Sequence, residues 1–424
     1  MFPFGQDEKY QTRTPRTAAE AAASDPSLII SADTHRQERI PPGQSRTKKW
    51  PVLHYGYVPS IPQENWRLEV TGLVEPLPVD VSANVPFDRP AVHADAVGEA
   101  PTAQDVLPVF SPDGTQLAFL RQTTKYFYAD KQRLMVTDSA GKKGNRELTA
   151  DLDRSAQNPK WRDNERIVFE AEHEGYVRFF GAHVGGEAPF TGPNEDSDSE
   201  RSIDLAPAAK IGVYVRNSFN QPPTVYAQGD ALKGHLQISF FNDDIIKQWK
   251  LGKVELTKFK GSDDADVPMW IFYPPDFDPK KKWPLVQMIH GGPHNGIMSE
   301  FSFRWNPQLW AGRGCVVAVV NFHGSSGFGQ KYADSITGDY ATKPMTDILK
   351  ATEWFEKQVW IDKDRMAAAG GSYGGYMVAY LNGHTDKFKA YVCHAGVYTY
   401  HGQMASDIVK GRERSLGAFP WADL

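Results

Sequence analysis

The residues whose types and spacing point to chemistry are Gly370-Gly371-Ser372-Tyr373-Gly374, which fit the pattern G-x-S-x-G. In that device a strand ends, the chain turns sharply, and a helix begins with the serine hydroxyl exposed at the turn. The flanking glycines suit a turn too tight for side chains beside the serine. A Gly-rich loop with an incidental serine is the competing reading of these five residues alone. Their surroundings weigh against it: Met366-Ala367-Ala368-Ala369 reads as a short buried strand, and Tyr376 to Tyr380 starts an apolar helix. A serine hydroxyl is a poor nucleophile at neutral pH and needs a base beside it, itself oriented by a carboxylate. It also needs N–H donors aimed at the oxyanion that forms when it attacks a carbonyl. The backbone N–H of Tyr373, next after the serine, is one such donor by position. The other is expected from the loop after an early strand, and His290-Gly291-Gly292-Pro293-His294 directly follows the apolar run Leu285–Ile289. Glycines at 291 and 292 let backbone approach a substrate closely; a plain Gly-Pro turn is the alternative.

The elements that must position these residues read as strands alternating with helices after about residue 255. Val267–Tyr273 and Leu285–Ile289 are strands, and Cys315–Val320 is a continuous apolar run of the kind buried on both faces of a sheet. Ile348, Ala351, Phe355 and Val359 have helical spacing within a stretch from Asp347 to Trp360. A further strand is expected at Ala390–His394. Such alternation predicts a parallel sheet covered by helices on both faces.

Residues from about 80 to 255 read differently, as short alternating strands separated by polar turns. Pro108–Leu120 is a strand, a Pro-Asp-Gly turn and a second strand, and the theme returns at Asn158–Glu170 and Ser202–Val215. Phe110, Trp161 and Ile203 occupy matching places, at steps of 51 and 42 residues (161 − 110 and 203 − 161). Self-similarity at this period reads as three or four β-propeller blades, with a β-sandwich as the alternative. The acidic loop Pro193–Glu200 lacks the Gly and terminal Glu spacing of a calcium loop and reads as a solvated turn.

The chain has 424 residues, 40% of them hydrophobic and 23% charged, with a formal net charge of −5. This balance gives no reason to expect nucleic acid or an anionic membrane as partner. No apolar stretch approaches the length of a membrane span. The N-terminus has no basic region followed by an apolar run, so a cytoplasmic location is expected. The only cysteines, Cys315 and Cys393, lie in apolar runs and are expected to be buried thiols, with no disulfide or metal site.

Two resemblances follow from quoted motifs. Arg39-Ile-Pro-Pro-Gly-Gln44, Lys49-Trp-Pro-Val-Leu-His54 and the strand from Trp66 resemble, in order, the opening of the sulfite-oxidase-like molybdopterin oxidoreductases. That family holds molybdenum through a cysteine sulfur, and no cysteine precedes Cys315. Residues 1–80 are therefore expected to be an N-terminal arm, and no cofactor is expected. His290-Gly-Gly-Pro-His294, Asn321-Phe-His-Gly-Ser-Ser-Gly-Phe-Gly329 and Gly370-Gly-Ser-Tyr-Gly-Gly-Tyr-Met377 resemble the serine peptidases of the prolyl oligopeptidase family, in its acylaminoacyl-peptidase and dipeptidyl-peptidase-like branches. The resemblance implies a partial β-propeller at 81–255 and an α/β-hydrolase domain at 256–424. It implies hydrolysis of short peptides through an acyl-enzyme on Ser372, with Tyr373, Gly291 and Gly292 as oxyanion donors. In that fold the acid and then the base follow the serine. Here 52 residues follow it (424 − 372). They read as one strand and a helical stretch from Gln403 to Leu416, so the catalytic sheet is expected to be truncated and turnover weak or absent. His384, His394 and His401 as base, and Asp386 or Asp407 as acid, sit at the wrong topological points. His323 reads as a polar loop residue that helps to shape the site. The edge at Ala390–His394 is expected to be exposed and open to self-association. A non-catalytic module binding peptides or a partner chain is the second reading, and a molybdenum oxidoreductase the third.

Overall fold

Three antiparallel meanders precede the sheet that carries Ser372. The computed structural model describes residues 104–124, 127–186, 198–206, 210–229 and 235–397, with Gln403, Leu416 and Gly417. These fall in one compact unit of the chain, Thr71–Leu77 with Val85–Leu424. The expected N-terminal arm, most of the acidic loop, His401, Asp407 and most of the stretch from Gln403 to Leu416 lie outside the described residues.

The first meander is β1 (Gln104–Phe110), β2 (Gln116–Gln122), β3 (Arg133–Asp138) and β4 (Arg146–Glu147). The second is β5 (Gln157–Trp161), β6 (Arg166–His173) and β7 (Tyr176–His183). The third is β8 (Ser199–Ala206), β9 (Ile211–Ser218), β10 (Gln221–Gly229) and β11 (Leu236–Gln237). Each forms its own sheet with neighbours paired in sequence order. The predicted turn between β1 and β2 is built by Ser111, whose hydroxyl donates to Asp113 Oδ1 at 2.6 Å, while Thr115 N–H donates to the same oxygen at 3.1 Å. The first strand of every meander carries a bulge, and within each bulge one residue has positive φ: Leu107 (53°), Asn158 (48°) and Ser202 (56°). These residues define the repeat, with steps of 51 and 44 (158 − 107 and 202 − 158). Phe110 and Trp161 match as expected, three residues beyond the bulge residue, but their third counterpart is Leu205 and not Ile203. A two-residue slip keeps every side chain on the same face of a strand, so alternation alone does not detect it. Trp161 Nε1–H donates to Val109 O at 2.9 Å, tying the first strands of neighbouring meanders together. The described residues form no closed propeller.

A six-stranded sheet follows, of β12 (Val254–Lys260), β13 (Asp266–Phe272), β14 (Trp283–Ile289), β15 (Val316–Val320), β16 (Ile361–Gly371) and β17 (Ala390–His394). Its order is β12-β13-β15-β14-β16-β17. The expected boundary at 255/256 falls inside β12. The sheet is mixed, which corrects the expectation of a parallel one: β12 pairs antiparallel with β13, and β13 antiparallel with β15. The connection from β12 to β13 is too short for a crossover and makes a hairpin. The four remaining strands are parallel, joined through short helices α1 (Pro307–Ala311) and α2 (Gln330–Asp334), then α3 (Thr342–Glu356) and α4 (Tyr373–Asn382). α3 begins five residues before the predicted Asp347, because Asp339 Oδ1 accepts the N–H groups of Ala341 and Thr342 at 2.9 and 3.0 Å. It ends at Glu356, leaving Val359 outside the helix and 76% exposed.

Both faces of this sheet are buried, as continuous apolar strands require. Met269, Ile271, Leu285, Val316, Ala318, Met366 and Ala368 pack on one face with Ile348 and Phe355 of α3 and Met377 and Val378 of α4. Trp270, Phe272, Val286, Met288, Val317, Val319 and Ala369 face the other way, against Phe219 and Tyr176 of the meanders. Cys315 is only half-buried and Cys393 is exposed, which corrects the expectation of two buried thiols. β17 pairs only with β16 among the described residues, and its Val392 is 44% exposed, because no described element packs on that side. No described helix is long and apolar enough to cross a membrane.

Candidate active site

β16 delivers the chain to Ser372, and α4 begins at the next residue, so strand, turn and helix occur as predicted. Ser372 is exposed and has φ 56° and ψ −121°, a strained conformation for a residue with a side chain. What holds it is the absence of side chains around it. A Cβ on Gly370 would lie 2.5 Å from Gly374 O, and one on Gly374 would lie 2.1 Å from Ile289 O. Ser372 N–H donates to His394 O at 3.0 Å, anchoring the turn to the end of β17. The Tyr373 hydroxyl donates to Tyr340 O, and its ring is buried. As the first residue of α4, Tyr373 has its N–H in the helical turn that lacks intrahelical acceptors.

The loop after β14 comes to the same place. A Cβ on Gly291 would lie 3.4 Å from Ser372 Cβ and 3.9 Å from Ser372 Oγ. Gly292 is exposed, with φ +119°, and a Cβ there would lie 2.6 Å from His294 N. The structure thus brings together Ser372, Tyr373, Gly291 and Gly292.

A second loop, following β15, braces the first at four points. His290 Nε2 is 3.0 Å from Ser325 Oγ, and His294 Nδ1 donates to Gly324 O at 3.0 Å. Ser326 Oγ accepts Gly296 N–H at 2.8 Å, and Asn321 Oδ1 accepts Ile297 N–H at 2.7 Å. His290 also donates from Nδ1 to Gly291 O at 2.8 Å, which turns that carbonyl toward its own imidazole. In a trans peptide the following N–H, that of Gly292, then points the opposite way. Burial lowers the pKa of His290 to about 4, so its imidazole is neutral at pH 7, stacked 4.0 Å from the Phe322 ring. His294 is likewise pushed down by burial.

His323 takes no part at the surface. It is buried, and its Nδ1 and backbone N–H both donate to Asp347 Oδ2, at 2.8 and 2.7 Å. Asp347 Oδ1 accepts Ser262 N–H at 2.7 Å, so this His–Asp pair staples α3 to two loops. His384 lies past the far end of α4, a helix of ten residues and so about 15 Å long, with Nδ1 on Tyr380 O at 2.7 Å. His394 adjoins the turn, but its ring packs edge-on against Trp305 at 5.3 Å between centroids. Ser372 Oγ has no hydrogen-bond partner among the described residues. No group of three metal-binding side chains occurs among them either.

Sequence reasoning missed two contributors. Trp305 walls the elbow, with Cζ2 3.0 Å from where a Gly371 Cβ would stand. Glu172 of β6 accepts the Ser326 hydroxyl, from 154 residues away. A cavity of about 370 Å³ opens beside it, lined by Arg154, Asn158, Glu172, His294 and Gln330 among others, and Ser372 is not among its walls.

Residues 301–420 match the prolyl oligopeptidase family. A probable dipeptidyl-peptidase 5 of Aspergillus terreus is 30% identical over 370 residues, covering 85% of this chain and 50% of that protein. Dipeptidyl-peptidase 5 of Porphyromonas gingivalis is 31% identical over 315 residues, covering 73% and 45%. Among solved structures, the acylaminoacyl peptidase of Pyrococcus horikoshii superposes with a TM-score of 0.64 at 21% identity, covering 73% of this chain and 48% of that one. Dipeptidyl peptidase 4 of Porphyromonas gingivalis gives 0.59 at 19% identity, covering 73% and 43%. The chain spans about half the length of the relatives it matches. Family match and relatives agree on sequence of the serine peptidase type found in prolyl oligopeptidases, and the sheet from β12 to β17 has the α/β-hydrolase fold.

Proposed function

We propose, on the premise of that family match, that the site hydrolyses short peptides through an acyl-enzyme on Ser372. One observation carries the reading: an exposed serine in a strained strand-to-helix turn faces a second glycine loop, with the Gly291 Cβ position 3.9 Å from its Oγ. In the proposed chemistry Ser372 Oγ bonds to the scissile carbonyl carbon, and the carbonyl oxygen takes up the electron pair. The N–H of Tyr373 and those of the Gly291–Gly292 loop donate to that oxyanion. As the C–N bond breaks, the Ser372 hydroxyl proton passes to the departing amine nitrogen, leaving the acyl-enzyme, and water then cleaves that ester to give the acid and restore the Ser372 hydroxyl. The two curated relatives named above carry the name dipeptidyl-peptidase, which supports a short peptide as substrate. The meanders are proposed to be propeller blades that limit access to small or unfolded chains. The bulge repeat in their first strands supports this assignment.

Because no described imidazole bonds Ser372 Oγ, we propose weak turnover, with the oxyanion donors as the remaining source of acceleration. In the serine protease template such residual catalysis is about 10³ to 10⁴ over water. A fluorophosphonate probe tests the reading. Labelling near one equivalent that disappears in Ser372→Ala supports it. Folded protein that takes up no probe sinks it and leaves a peptide-binding module in its place.

A further inference from the structure

The β6–β7 hairpin of the second meander reaches both loops of the site. Glu174 N–H donates to Gly327 O at 3.0 Å, in the loop after β15. Ser299 N–H donates to Gly175 O at 2.6 Å, in the segment that continues the glycine loop. Two residues before the first of these contacts stands Glu172, whose carboxylate accepts the Ser326 hydroxyl. A hydroxyl has one proton, and its oxygen accepts only where that proton leaves room. With the Ser326 proton committed to Glu172, its oxygen is held toward Gly296 N–H at 2.8 Å. Gly296 packs closely against the same loop: a Cβ there would lie 2.4 Å from Ser326 O and 2.3 Å from Met298 Cε.

We propose that Glu172 is a positioning residue for the glycine loop at 290–296, acting through Ser326, so that the second meander sets the geometry of the oxyanion donors. The arrangement couples the non-catalytic half of the molecule to the site without touching substrate. Burial raises the Glu172 pKa and the nearby Glu300 carboxylate adds to this, while the Ser326 bond and Arg201 oppose it. The catalytic consequence rests on the peptidase reading; the mechanical link does not.

The test compares Glu172→Ala, Glu172→Gln and Ser326→Ala with the unaltered chain by amide hydrogen exchange and by the rate of fluorophosphonate labelling. Loss of one such bond is expected to speed exchange in a peptide covering 290–298 about tenfold in Glu172→Ala. Ser326→Ala should match it, and Glu172→Gln should restore the unaltered rate, since its amide oxygen still accepts the hydroxyl. Labelling should slow about tenfold in the same two variants and recover in Glu172→Gln. The proposal is overturned if exchange over 290–298 is unchanged in both truncations. It is equally overturned if Glu172→Gln behaves as Glu172→Ala. A chain that never labels defeats the peptidase reading alone, because the exchange result still decides the link. Should Glu172→Ala not fold, Ser326→Ala and Glu172→Gln carry the same comparison.

Discussion

His290 makes the stability of the site depend on pH in a calculable way. Its imidazole is buried and its pKa lies at about 4 in the folded chain, against about 6.5 in an unfolded one. A depressed pKa means that the unfolded state binds the proton first, so acid favours unfolding. The contribution is fully present above pH 6.5, is lost as pH falls, and is gone below pH 4. A gap of about 2.5 pH units is worth about 3 kcal/mol over the whole window, and about 2 kcal/mol of it is lost by pH 5. Full burial means that solvent screening does not reduce this figure appreciably. Other carboxylates and imidazoles titrate in the same range, so the comparison must be a difference between two chains. His290→Asn cannot take up the proton, yet its amide can still donate to Gly291 O. It should be less stable at pH 7 because it loses the stacking on Phe322 and the contact with Ser325. Between pH 7 and pH 5, however, the unaltered chain should lose about 2 kcal/mol more than the variant. Urea titrations followed by tryptophan fluorescence measure both curves. Parallel stability profiles for the two chains over that range would refute the assignment of a neutral, buried His290.

Three other substitutions have outcomes that differ in kind. Gly374→Ala places a carbon 2.1 Å from Ile289 O and should destabilise the fold by about 3 kcal/mol in urea titration, with labelling lost alongside. A Cβ on Gly291 would stand 3.3 Å from Gly371 O, a tight contact that a few tenths of an ångström of movement relieves, so Gly291→Ala should cost about 1 kcal/mol. Its methyl group points at Ser372, and labelling should slow more than about tenfold. Asp347→Ala strands three buried donors, the N–H groups of Ser262 and His323 and the His323 ring, and should cost about 3 kcal/mol by the same titration. It leaves the Ser372 turn itself uncontacted.

The elbow was legible in the sequence because its glycines are demanded by backbone contacts that admit no side chain. The same holds for Gly292, where a Cβ would lie 2.6 Å from His294 N, and β14, β15 and β17 were readable from their apolar runs. What escaped the reading depends on partners far apart in the chain. Nothing local to Glu172 announces a bond to Ser326, and Trp305 has no periodic signal that sets it beside Gly371. The start of α3 was misplaced because Asp339 caps it ahead of the first apolar position, and Val359 kept helical spacing beyond its end. The antiparallel pairing of β12 and β13 followed from the shortness of their connection, which the strand pattern by itself did not weigh.

The contact between the β6–β7 hairpin and the loop after β15 also bears on how the chain is made. Glu174 and Gly327 are joined by a hydrogen bond across 153 positions (327 − 174). At a translation rate of about 5 to 20 residues per second, the hairpin is synthesised about 8 to 30 s before its acceptor. During that interval the acidic tip of the hairpin, Glu172 and Glu174, is solvated, and for its first 94 positions (270 − 176) the Tyr176 ring lacks the Trp270 it later packs against. Until the hydrolase strands arrive, the second meander has only its neighbouring meanders to pack against, as in the core that Ile167 and Phe169 share with Leu120 and Leu134. Long-range closure of this kind makes assembly slow relative to local folding, and it places the nascent hairpin among the segments a chaperone would meet first.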